Sequence, residues 1–96
     1  MGIARIAVRL CVEAEIQFRG PKISNYSTQV RDLSAFGCCV DVVHRVRVHE
    51  QAWIKFPGLE ALEAVVCWEK EFRAGVEFVR PLHPAVMDML GMRLKS

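Results

Sequence analysis

No apolar run in this 96-residue sequence approaches the roughly 18 residues that a membrane-spanning helix needs. The opening MGIARIAVRLCV has neither the charged-then-apolar order of a secretory leader nor a small-residue cleavage site, so a cytoplasmic protein is expected. Neither sign of charge dominates. The 13 Lys and Arg stand against 11 Asp and Glu, and a formal net charge of +2 is too small to predict a nucleic-acid coat or membrane attraction. The four cysteines include the adjacent pair Cys38 and Cys39, which would point to opposite faces of a strand. They read as small reduced hydrophobes rather than a disulfide framework. Neither C-x-x-C nor H-x-x-x-H spacing occurs, so no metal site is expected.

The marks of an enzyme are missing too. There is no G-x-x-x-x-G-K phosphate loop, no histidine at motif distance from a Ser and Asp pair, and no pair of carboxylates around a predicted cleft. The expectation is a non-enzyme without cofactor or metal. Repeats, low-complexity stretches and linkers are also absent, which leaves residues 1–96 as one domain with one core.

What is present is alternation. Ile6, Val8, Leu10, Val12, Ala14, Ile16 and Phe18 occupy the even positions, with Arg9, Glu13, Glu15, Gln17 and Arg19 among the odd ones. Period two sustained this long predicts a strand with one buried face. Gly20-Pro21-Lys22 then turns the chain, and residues 24–30 repeat the pattern through Tyr26, Thr28 and Val30. Shorter strands are expected over 38–42, through Ala52, Ile54 and Phe56, through Ala64, Val66 and Trp68, and through Ala74, Val76 and Phe78. Residues 43–50 read as a solvated connection carrying His44, Arg45, Arg47 and His49. A tight charged turn is expected over 69–73.

After Pro84 the period changes to that of a helix, with Leu82, Val86, Leu90 and Leu94 on one side. The prediction is an all-β domain: a six-stranded antiparallel barrel with a short C-terminal α-helix.

One hexapeptide exceeds what a turn requires: Asp32-Leu33-Ser34-Ala35-Phe36-Gly37. Asp and Ser can accept backbone N–H groups in a turn, and Gly can take positive φ. Together with RIAVRLCVEAEI, FPGLEALEAVVCW and AGVEFVRPLHPAVMDML, it resembles the PilZ family of bacterial cyclic di-GMP receptor domains. The resemblance covers nearly the whole chain and implies a six-stranded barrel with a closing helix. It also implies a ligand site divided between an N-terminal R-x-x-x-R loop and the D-x-S-x-x-G turn.

On that resemblance Asp32, Ser34 and Gly37 would meet the ligand: Asp32 the N1–H and N2–H edge of a guanine, Ser34 the ligand or turn backbone, and Gly37 by leaving room. Trp68 aligns with a position that can lie near the nucleotide, although its phase with Ala64 and Val66 predicts a core aromatic. Trp53, beside Lys55, falls on the outward face.

Arg5 and Arg9 form a literal R-x-x-x-R, but the strand phase puts Arg9 inside the first strand, about 13 Å from Arg5. In the family's register Arg5 takes the second arginine's place, Met1 stands where the first should be, and Arg9 is at most a helper. The resemblance further implies a receptor that relays the signal to a separate effector protein by reordering its N-terminal arm. A monomer or weak dimer is expected, without nucleic-acid binding or membrane insertion. A barrel that acts by protein contact alone is the alternative.

Overall fold

The alternation becomes six antiparallel strands that close on themselves. The computed structural model describes residues 10–93, with side chains from residue 14 onward. The strands are β1 (Leu10–Arg19), β2 (Tyr26–Leu33), β3 (Gly37–Asp41), β4 (Gln51–Lys55), β5 (Leu62–Lys70) and β6 (Arg73–Phe78), followed by the helix α1 (Pro84–Arg93). Around the barrel the order is β1-β2-β3-β6-β5-β4, and β1 pairs with β4 to close it. Closure leaves no free sheet edge.

Inward residues fill the interior as the period-two pattern requires: Ile16 and Phe18 from β1, Val30 and Leu33 from β2, Val40 from β3, Ile54 from β4, Val66 from β5. Each large side chain buried this fully contributes about 1.5–3 kcal/mol. Phe56 and Phe78 meet edge to face at 6.4 Å near the upper end. There α1 lies over the barrel mouth, burying Leu90, with Val86 and Met87 packed against the core.

His83 starts the helix: its Nδ1 accepts the Ala85 N–H at 3.0 Å, and Pro84 occupies the first helical position, where no N–H is needed. Leu82 is buried just before it, while Leu94 lies outside the described residues. Phe56-Pro57-Gly58-Leu59 forms a type II turn, with Gly58 at φ 82° and a Leu59 N–H to Phe56 carbonyl bond of 3.1 Å.

Three departures from the expected pattern matter. First, β2 continues to Leu33 instead of ending at Val30. Val30 faces Val40 and Asp32 faces Cys39, so Arg31 is one residue too many, a bulge. The extra residue reverses the phase: Leu33 turns inward and is fully buried, and Asp32 remains half-buried on the outer face.

Second, β5 bulges at Cys67, between the pairs Val66 with Val76 and Trp68 with Gly75. Trp68 is therefore not the core aromatic that its phase predicted. It is 45% exposed.

Third, the β5–β6 turn is only Glu71-Phe72, with both residues at positive φ, 51° and 61°. This is the backbone of a tight two-residue hairpin, normally supplied by Asn or Gly.

The 43–50 connection holds no strand, as expected, but His44 turns inward, 5.5 Å from Tyr26 and 6.1 Å from Phe18 between ring centres. Trp53 is half-buried, with the Arg19 guanidinium 4.2 Å over its ring.

Candidate functional site

The 32–37 turn is built from backbone bonds, and Ser34 is its keystone. Ser34 N–H donates to the Gly37 carbonyl at 2.9 Å, while Ser34 Oγ accepts the Phe36 N–H at 3.1 Å. The hydroxyl thus satisfies a donor that the turn would otherwise strand. Two further bonds fix the turn to the rest of the fold: Phe78 N–H to the Phe36 carbonyl at 2.8 Å, and Leu82 N–H to the Ala35 carbonyl at 2.7 Å.

Gly37 is not in the left-handed region; among the described residues the glycine with positive φ is Gly58. Its role is close approach. A Cβ at position 37 would collide with the Val76 carbonyl of β6, so the β3–β6 pairing itself requires glycine there.

Asp32 has no hydrogen-bond or ion-pair partner among the described residues. That contrasts with Asp41, whose carboxylate takes Arg31 through Nη2 at 2.9 Å and Nε at 3.3 Å, and Arg73 through Nε at 3.4 Å. One acidic group on this wall is neutralised by two arginines.

The register carries Asp32 into a row across four strands. Asp32 faces Cys39, Cys39 faces Gly75, and Gly75 faces Trp68. The Trp68 indole lies back across Gly75, filling the space that a Cβ there would need. A carboxylate and an aromatic plate thus stand about two strand spacings apart, roughly 10 Å, on one outer wall.

Cys39 lies between them. Burial first, then the Asp32 charge, raises its thiol pKa; Asp41 adds to this, and Arg73 and Arg31 oppose it. The thiol stays protonated near neutral pH and makes a small apolar floor. Inside the wall, burial drives the Cys38 thiol far higher still.

Asp32, Ser34 and Gly37 are therefore brought together, with Trp68 on the same wall. Arg5 and Arg9 lie outside the described residues. β1 begins with Leu10 opposite Leu33 and Cys11 opposite Asp32, so the chain enters the barrel beside the 32–37 turn. The row through Cys39 and Gly75 was not anticipated, because it depends on two bulges.

Among the described residues, no group of three or more His, Cys, Asp or Glu side chains could hold a metal ion, and no helix is long and apolar enough to cross a membrane.

Comparison with known proteins agrees with this architecture. The PilZ domain model matches residues 4–94. Among solved structures, the Bacillus subtilis inhibitor of motility (MotI/DgrA) is similar with a TM-score of 0.65 at 18% identity, over 96% of this chain and 50% of that one. This chain thus spans half the length of that protein. The PilZ domain of CeSA from a cellulose-synthesizing bacterium is similar with a TM-score of 0.62 at 15% identity, over 91% of this chain and 93% of that one. No curated protein matches. The chain belongs to the PilZ domain family.

Proposed function

We propose that this PilZ domain is a receptor for cyclic di-GMP, read by the 32–37 turn and the outer wall beside it, and that it relays the bound state to a separate effector protein. The observation that carries the reading is the Asp32 carboxylate: half-buried, on the outer face, and without a hydrogen-bond or ion-pair partner among the described residues, while its neighbour Asp41 has two. A guanine offers two N–H donors in line, the complement of a carboxylate. The Trp68 indole over Gly75 supplies a flat face at a distance suited to a dinucleotide.

In this reading Ser34 and Gly37 serve the site by building the turn that aims Asp32. Arg5, preceding the strand that enters beside Asp32, would close over the ligand by guanidinium stacking or phosphate contact, and Arg9 is at most a helper. Ordering of the N-terminal arm over the turn would then expose or cover a surface that the effector reads.

Calorimetric titration with cyclic di-GMP, with GTP as control, tests this. The wild-type chain should bind saturably, and Asp32→Ala and Arg5→Ala should each bind at least about tenfold more weakly, the worth of a lost charge-assisted hydrogen bond. A folded chain that takes up no ligand at high concentration would favour the second reading, a barrel that works by protein contact alone. Phe72 favours that reading: it stands 59% exposed at the hairpin tip near Trp68.

A further inference from the structure

Below the row that runs from Asp32 to Trp68 lies a second one, two residues away along β3, β5 and β6 and one residue away on β2. Asp41 faces Arg73 and Arg73 faces Lys70, while Arg31 reaches Asp41 from β2. Along β3 and β6 the rows are about 6.7 Å apart, close to the span from a nucleobase to its phosphate. Trp68, Lys70, Glu71 and Arg73 line one shallow depression there. Arg73 is 53% exposed and turns its Nε toward Asp41. Lys70 is exposed and has no ion-pair partner among the described residues.

We infer that this second row is the phosphate edge of the site, with Arg73 and Lys70 as the residues that hold a phosphate of the nucleotide whose base lies along the row above. The inference rests on the receptor reading. The ion pair to Asp41 engages only the Nε edge of the Arg73 guanidinium, at 3.4 Å, which leaves its terminal N–H groups to face an anion in the depression. Lys70 adds a point charge opposite. The chain thereby places two cations against an anion from strands β5 and β6, independent of the N-terminal arm and of the position Met1 occupies in the family's arginine motif.

Glu71, carried into the same depression by the positive-φ turn, opposes this charge. The opposition gives the test two signs. In calorimetric titrations with cyclic di-GMP at low salt, the double variant Lys70→Gln, Arg73→Gln should bind about tenfold more weakly or worse, and Glu71→Gln should bind about twofold to threefold more tightly. Both effects should shrink as NaCl rises, because the groups are exposed. Thermal denaturation of each variant confirms that the barrel is intact.

If wild type binds and Asp32→Ala abolishes binding, but the Lys70 and Arg73 variant binds as wild type does, the phosphate edge is wrong and the receptor reading stands. If the double variant and Glu71→Gln shift affinity in the same direction, the assignment also fails. If the wild-type chain does not bind, both fall together.

Discussion

Trp68 lies across Gly75, its indole occupying the space that any side chain at position 75 would need. The bulge at Cys67 puts the ring on the outer face, and the glycine lets it lie flat there instead of standing into solvent. Gly75→Ala should therefore displace a flexible side chain without breaking the barrel. In a Trp53→Phe background, the emission of Trp68 should move to the red, with stability changed by no more than about 1 kcal/mol in chemical denaturation. An unchanged spectrum would mean that the ring does not rest on Gly75.

Gly37 should respond differently. There the space is taken by the backbone carbonyl of Val76, which cannot rotate away. Gly37→Ala should cost about 2–3 kcal/mol in denaturant unfolding, a typical penalty for forced overpacking. Loss of binding in that variant would follow from damage to the wall and would not identify a ligand contact.

Asp32→Ala should leave stability within about 0.5 kcal/mol of wild type, since no described partner is orphaned by the change. Asp41→Ala should cost more, because two arginines lose their common carboxylate. Thermal melts of the two variants side by side check the contrast, and equal losses would contradict it.

Cys38, Cys39 and Tyr26 set an alkaline limit. Burial raises the pKa of Cys38, and does the same for Tyr26 and Cys39. A group raised in the folded state holds its proton more tightly there than when unfolded. Its contribution to stability is thus complete below the unfolded pKa, 9.0 for Cys38, and is lost as pH rises above that value. Under reducing conditions, unfolding free energy should begin to fall above about pH 9, and Cys38→Val should make the slope shallower by about one proton, or about 1.4 kcal/mol per pH unit. Slopes that match for wild type and Cys38→Val would contradict the burial of that thiol.

Much of the fold was legible because period two is a direct imprint of a one-sided sheet. Ile16 and Phe18, Ala52 and Ile54, Ala74 and Val76 all face inward as alternation requires. Pro84 and the spacing of Leu82, Val86 and Leu90 marked the helix and its buried side. The candidate site was legible only as a motif.

Its geometry depends on Arg31 and Cys67, each an extra residue in its strand, and nothing in the residue types on either side announces an insertion. Counting by twos therefore put Asp32 in a turn and Trp68 in the core, whereas both belong to strands and face outward. The reason for Gly37 was equally hidden, since it resides in β6, some forty residues further along the chain, at the Val76 carbonyl. At Glu71-Phe72 the charged run marked a tight turn within 69–73, but its positive-φ backbone was hidden, because neither position carries glycine or asparagine.

The most direct test of the central claim locates the ligand on the barrel. In a two-dimensional NMR titration of the isotope-labelled chain with cyclic di-GMP, the amides of residues 32–39 and 73–75 and the Trp68 indole N–H should shift, while residues 52–55 of β4, across the barrel from β3, stay still. Shifts confined to β4 or to α1, or none at saturating ligand, would contradict the proposed site.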